Sequence, residues 1–271
     1  MNARLLHVSD LHAGPQEEME AIDALARLVD LAQPQLVVAS GDLTHRGTRE
    51  QHARAAELLR ALGPPVLAVP GNHDVPYTPA RLTRPWAEFE RAWGTTEPVT
   101  ELPGLHVVGL NSVRPLRQQG GALSRAQLAD AAVRLGEAEP EALRVAVLHH
   151  HLLGAPWRAA RKRPVSHRNR VLHALVEAGA DLILAGHIHQ SAVSERREFE
   201  IGFGGERSVT VAIAPGLGQP RPKRRGEARG LHVIETDAME ISIETLVYTG
   251  DEFTSIAARR FPRRAHELAQ G

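Results

Sequence analysis

The residues best suited to chemistry fall in five short blocks: Asp10-x-His12, Gly41-Asp42, Gly71-Asn72-His73-Asp74, His149-His150-His151 and Gly186-His187-Ile188-His189. Carboxylate, imidazole and amide oxygen are ligands for divalent transition metals, and this set suits manganese, iron or zinc. A site for two ions ~3.5–4 Å apart needs one ligand that reaches both, which a two-oxygen carboxylate can do and an imidazole cannot. Asp42 is the expected bridge. Asp10, His12 and His189 would complete one ion, and Asn72, His149 and His187 the other. Asn72 would add a neutral oxygen, which limits negative charge and leaves the ions electrophilic. A water bridging two such cations is acidic enough to give hydroxide near neutral pH, a nucleophile for hydrolysis.

The blocks gain meaning from the elements that precede them. Apolar runs at Leu5 to Ser9, Leu36 to Ser40, Val66 to Val69, Leu105 to Leu110, Val145 to Leu148 and Leu182 to Ala185 have the length and Val/Leu/Ile content of buried strands. Between them, Glu17 to Ala32, Thr48 to Leu62, Ser124 to Glu137 and His167 to Ala178 carry apolar residues at helical spacing. Ser124 with Gln127 fits a capping box, and Gly179 a helix stop. This alternation predicts an α/β layered fold. Five of the six runs are followed at once by a polar block, and groups outside the carboxyl ends of strands converge on one edge. Past residue 190 the texture becomes β-rich, with strands expected at Val209 to Ala214, Leu231 to Thr236 and Ile241 to Val247. A hairpin is expected at Asp237-Ala238, and a flexible loop at Gln219 to Arg229. One domain over 1–271 is expected, with a motif-bearing core at 4–190 and a β-rich part at 191–271.

Composition narrows the chemistry further. The 271 residues include no cysteine, which removes disulfides, thiolate metal sites and a cysteine nucleophile; 15 histidines are present instead. Lys and Arg total 32, as do Asp and Glu, so no global positive field draws the chain onto nucleic acid or an anionic membrane. The start of the chain leaves no room for a secretion signal, and no run approaches the ~18 apolar residues of a membrane span. A soluble, cytoplasmic protein of unspecified oligomeric state, acting on a small substrate, is expected.

The ordered blocks resemble the calcineurin-like metallophosphoesterase superfamily over roughly residues 4 to 190, with no ligand position missing. The resemblance implies two packed mixed β-sheets flanked by helices, where the strand pattern alone leaves a single doubly wound sheet open. It also implies that His73 lies over the substrate phosphate, stabilising the transition state or protonating the leaving oxygen, with Asp74 orienting it. Within the superfamily the chain looks most like bacterial class III cyclic nucleotide phosphodiesterases. It departs from them at His149-His150-His151-Leu152-Leu153, where they tend to have His-His-Pro-Pro, and at Asn111, where they tend to have Asp. The activity implied is hydrolysis of phosphodiesters, cyclic nucleotides among them. The alternatives are a nuclease or phosphomonoesterase of the same superfamily, or a scaffold that binds metal without catalysis.

Substrate contacts are expected from His150, Arg114 and Arg158, with packing beside the site as the other reading for His150. The run at 161 to 163 and Lys223, Arg224 and Arg225 read as solvated basic loops. His45, His52 and His173 read as surface or helix histidines, and His7 as a buried one with its hydrogen bonds met.

Overall fold

The computed structural model describes residues 2–14, 19–117, 119–153, 162–197, 208–218 and 227–263. In chain order its elements are β1 (Ala3–Val8), α1 (Met19–Ala32), β2 (Leu36–Ala39), α2 (Arg49–Arg60), β3 (Val66–Ala68), α3 (Ala80–Thr83), α4 (Ala87–Trp93), β4 (Val99–Leu102) and β5 (Leu105–Leu110). They continue with α5 (Arg125–Gly136), β6 (Leu143–Leu148), α6 (Arg168–Glu177), β7 (Leu182–Ala185), β8 (Ala192–Arg197), β9 (Ser208–Ile213), β10 (Gly230–Thr236), β11 (Glu240–Tyr248) and β12 (Phe253–Pro262). The predicted hairpin joins β10 and β11, where Asp237 Oδ1 accepts from the Met239 and Glu240 N–H groups.

Two six-stranded sheets result, in the orders β12-β11-β10-β1-β2-β3 and β4-β5-β6-β7-β9-β8. Both are mixed. In the first, β1, β2 and β3 run parallel and β10 joins β1 antiparallel; in the second, β5, β6, β7 and β9 run parallel. The inner faces meet in a core that includes Leu5, Val38 and Val69 from the first sheet and its margin, and Val107, Val147 and Leu184 from the second. The outer face of the first sheet packs on α1, α2 and α4 through Leu25, Leu59 and Phe89. That of the second packs on α5 and α6 through Leu128, Leu135 and Leu175. The layers are therefore helix, sheet, sheet, helix, and strands buried on both faces account for the unbroken apolar runs of β2, β6 and β7.

Local chemistry sets the helix limits. Ser124 and Gln127 form the reciprocal capping box, and Gly179 takes a positive φ of 84° just past α6. Three strands were not foreseen: β4, β8 and β12. The seven residues after Phe253 in β12 are all exposed, so it lacks the alternation of a half-buried strand. Among the described residues no helix is long and apolar enough to cross a membrane. Of the expected Gln219 to Arg229 loop, 219–226 lies outside the described residues, as do Lys223, Arg224 and Arg225.

Candidate metal centre

The carboxyl ends of β1 and β2 lie side by side, and their loops are sewn together by backbone hydrogen bonds. Asp10 N–H donates to Gly41 O, His12 N–H to Asp42 O and Ala13 N–H to Leu43 O. The second sheet is tied to the same edge, because Gly186 N–H donates to His149 O and His187 N–H to the Asp10 carboxylate. Four polar blocks thereby meet where the two sheets face each other, and the His73 N–H, which donates to the Asp42 carboxylate, brings in the fifth.

Two overlapping groups of ligand atoms result: Asp10, His12, Asp42 and His189 in one, and Asp42, His149 and His187 in the other. Asp42 belongs to both. Its Oδ1 is 3.4 Å from His149 Nε2, and its Oδ2 is 3.9 Å from His12 Nε2. His189 Nε2 stands 3.0 Å from Asp10 Oδ1 and 3.4 Å from His12 Nε2, while His187 Nδ1 is 3.2 Å from His149 Nε2.

Buried oxygen atoms without hydrogen-bond partners test whether these residues fit cations. Asp10 Oδ1, Asp42 Oδ2 and Asn72 Oδ1 are such atoms. Leaving a buried acceptor unsatisfied costs about 1–3 kcal/mol, more when it is charged. The Asp10 and Asp42 oxygens lie among the imidazoles of the two groups, a donor set that suits a pair of divalent ions, and the residues fit. The second oxygens are fixed from behind: Asp10 Oδ2 accepts from Ser9 Oγ at 2.7 Å and His187 N–H at 2.9 Å, and Asp42 Oδ1 from His73 N–H at 2.7 Å. His149 donates from Nδ1 to Ser40 O at 2.9 Å, so Nε2 is the nitrogen that offers a lone pair once the ring is neutral.

Charge states follow from burial and neighbours. Burial alone would raise the Asp10 carboxyl, but His189 against it and His149 beyond bring it well below the usual carboxylate range. Asp42 is likewise held low, burial being outweighed by His149, His73 and His12. Burial drives His12 down to about 3 against the pull of Asp42 and Asp10, and lowers His187 well below the ordinary histidine value. Ionised carboxylates and neutral imidazoles are the forms a metal binds. His149 behaves otherwise: burial lowers it, but the Asp42 carboxylate lifts it to about 9 in the bare protein.

The backbone is strained at this edge. Among the described residues seven non-glycine residues have positive φ, and five of them are Asp10, His12, Asp42, His187 and His189. Such conformations are uncommon outside glycine and persist where surrounding structure over-determines them, as at functional sites. Close approach also demands glycine: a Cβ on Gly71 would lie 2.1 Å from Asp42 N, and one on Gly186 1.7 Å from Ser9 Oγ.

His73 is half-buried beside the first group, its ring 4.8 Å from that of His12. The expected role of Asp74 is corrected. Its carboxylate does not orient the His73 ring; it accepts from Gly71 N–H at 2.8 Å, Thr44 N–H and Oγ1 at 2.9 Å and Leu43 N–H at 3.2 Å. Asp74 therefore clamps the Gly71–Asp74 turn onto the loop after β2, and burial, partly offset by His52, pushes its carboxyl up.

The other candidates spread out. His150 is fully buried with Nδ1 2.9 Å from Ser112 Oγ, behind the ligands and not facing solvent, so packing beside the site describes it better than substrate contact. Arg114 donates to Gln127 Oε1 at 2.8 Å and to Val113 O at 3.1 Å. Arg158 lies outside the described residues, as does Arg161. Lys162 is buried and not solvated; its charge adds to burial in keeping His150, His151 and His187 low. His52 is a helix residue but buried, with Nε2 3.1 Å from Asp74 O, and His173 is half-buried on α6. His7 is buried with Nε2 2.9 Å from Ser40 Oγ, but its Nδ1 has no hydrogen-bond partner, so the expectation that its hydrogen bonds are met is corrected: only one of the two ring nitrogens is satisfied. His45 is exposed, yet it joins His12 and His73 in a third cluster.

Sequence reasoning missed the supporting residues. Ser9 and Ser40, each just past a strand and within two residues of a ligand, hold Asp10 and His149. Leu217 and Gly218, after β9, donate backbone N–H groups to Ser9 O and Asp10 O.

The chain is similar to known proteins in sequence and in fold. A probable cyclic nucleotide phosphodiesterase of Synechococcus is 29% identical over 214 residues, covering 72% of this chain and 77% of that protein. The 3',5'-cyclic adenosine monophosphate phosphodiesterase CpdA of Haemophilus influenzae is 29% identical over 216 residues, covering 73% and 74%. In fold, the chain is similar to the purple acid phosphatase PPD1 of yellow lupin, with a TM-score of 0.73 at 12% identity over 97% of this chain. It spans only 54% of that phosphatase, and the likeness is one of architecture. A sequence model described as calcineurin-like phosphoesterase matches residues 3–191, the stretch that carries all five polar blocks, and the chain belongs to that family.

Proposed function

We propose that the chain hydrolyses phosphodiesters, with cyclic nucleotides among its substrates, using two divalent or mixed-valence ions of manganese, iron or zinc. The observation that supports this most is the position of Asp42 in both ligand groups, with one oxygen each of Asp42 (Oδ2), Asp10 (Oδ1) and Asn72 (Oδ1) buried without a hydrogen-bond donor. The names of the Synechococcus and Haemophilus relatives support the substrate class. Nitrogen and oxygen ligands without thiolate favour the three metals named.

Asp10, His12 and His189 would hold one ion, Asn72, His149 and His187 the other, and Asp42 both. Bound there, the ions supply positive charge that polarises a phosphoryl oxygen and makes water acidic. The protein's own share is orientation and proton transfer. Ser9, Ser40 and the His73 N–H hold the ligand side chains in place, so little reorganisation is needed at the moment of reaction. His73, whose ring stands 4.8 Å from that of His12, would meet the leaving oxygen and donate a proton to it.

A diester carries one negative charge and makes less demand on fixed cations than a dianionic monoester. Arg114 is engaged with Gln127 and held near Glu97, and Arg46 is exposed on the loop after β2. The test is a panel of cyclic nucleotides, linear diesters and monoesters assayed with added manganese. Higher kcat/KM on diesters is expected, because that ratio reports transition-state binding. A monoester preference that persists in Arg114→Ala and Arg158→Ala would contradict the reading.

A further inference from the structure

Tyr77 lies four residues past His73, and its hydroxyl oxygen is 3.2 Å from His73 Nδ1. The His45 carbonyl oxygen is 3.0 Å from the same nitrogen. A carbonyl oxygen only accepts, so a bare Nδ1 would set lone pair against lone pair across 3.0 Å. Nδ1 therefore carries the proton, and both oxygens accept it in a forked hydrogen bond. In the neutral ring this leaves Nε2 as the lone-pair nitrogen.

The tyrosine is itself braced. The Arg81 guanidinium stands 5.5 Å from the centre of the Tyr77 ring, and its Nε donates to the carbonyl of Pro115 on the loop after β5. The His45 ring lies nearly parallel to that of His73, at 28° and 6.1 Å between centres. His73 thus has its ring orientation fixed by residues from three loops, and none of them is the neighbouring Asp74.

We infer that Tyr77, together with the His45 carbonyl, is a positioning residue that fixes the tautomer and orientation of His73. This rests on the proposed phosphodiester hydrolysis for its kinetic consequence. As a water-derived oxygen forms its bond to phosphorus, the P–O bond to the leaving oxygen breaks and its electron pair goes to that oxygen; His73 gives that oxygen a proton from Nε2, and the ring passes from imidazolium to the neutral Nδ1–H form. That product tautomer is the one the two oxygens stabilise. The contact matters in the step where the proton moves and not in substrate binding.

The test uses the metal-loaded enzyme, with Tyr77→Phe, His73→Ala and the double variant assayed on aryl and alkyl phosphodiesters. Tyr77→Phe keeps the ring and removes only the hydroxyl, so metal content and KM should hold. Its kcat should fall about threefold to tenfold, the range for one hydrogen bond, and more on alkyl than on aryl leaving groups. In the His73→Ala background the same change should have no further effect on turnover, because the group through which the hydroxyl is proposed to act on the reaction is gone. Equal losses in both backgrounds, or an unchanged kcat, would overturn the assignment. Nitrogen-15 NMR of the zinc-loaded protein at pH 8 tests the tautomer without any substrate. A His73 signal protonated at Nδ1 is expected, and one protonated only at Nε2 overturns the inference. If the wild-type enzyme cut no phosphoester, hydrolysis would fail as a function while the NMR result still decided the tyrosine's role.

Discussion

Asp42 and His149 stand 3.4 Å apart across the gap between the two sheets, on loops that follow β2 and β6, with neither side chain exposed. The remaining Asp42 oxygen faces His12, from the loop after β1, so one carboxylate joins ligands from both sheets. Asp42→Ala should therefore reduce both ions, whereas His189→Ala should reduce chiefly one. Without the carboxylate the cations also repel each other at short range. Metal analysis checks this, and two ions bound to Asp42→Ala at wild-type affinity would refute the bridge.

His73→Ala should lower kcat by ~10²–10⁴, the range for a general acid or a transition-state hydrogen bond, with metal content nearly unchanged. The loss should be smallest on activated aryl esters, whose leaving group hardly needs a proton. Equal loss across leaving groups would mean that His73 stabilises phosphoryl charge and is not an acid.

Asp74→Ala would strip acceptors from the buried N–H groups of Gly71, Leu43 and Thr44. At about 1–3 kcal/mol for each unsatisfied group, stability should fall by at least about 3 kcal/mol, and metal affinity should fall with it. Asp74→Asn should recover part of both. If Asp74 instead oriented His73, the asparagine variant would unfold normally and lose turnover alone.

His232 gives a pH dependence away from the metal ligands. Burial holds it at about 3 in the folded protein, with its ring 5.5 Å from that of His7 and Nε2 3.0 Å from Ser191 Oγ. Its unfolded value is near 6.5, so the unfolded chain binds the extra proton as pH falls from 6.5 toward 3. Stability is full above that window and is lost within it, at up to about 1.4 kcal/mol per pH unit. Denaturant unfolding of chelator-treated protein at pH 7.5 and 5.5 should show a drop about 1 kcal/mol smaller in His232→Gln than in the wild type. Equal drops would show that His232 does not titrate in this way.

Much of this was legible in the chain because both signals are local. The β2, β6 and β7 runs are unbroken and apolar because each strand is covered on two faces, and the polar blocks stand out because they interrupt those runs. The capping box at Ser124 and Gln127 lies within four residues. What escaped depends on packing between distant segments. Ser9, Ser40 and Leu217 look ordinary until the loops after β1, β2 and β9 are brought together. The family resemblance implied that Asp74 orients His73, yet the turn directs its carboxylate back to the backbone of residues 43 and 44. The exposed β12 has no apolar face, and only its pairing with β11 makes it a strand.

The most direct test of the account is metal reconstitution. Protein stripped with a chelator should hold no bound metal and leave a chromogenic phosphodiester intact. On titration with manganese, activity should return and saturate at two ions per chain, with the Asp42→Ala protein failing to recover. Full activity in the stripped protein with excess chelator present would contradict the two-metal account at its root.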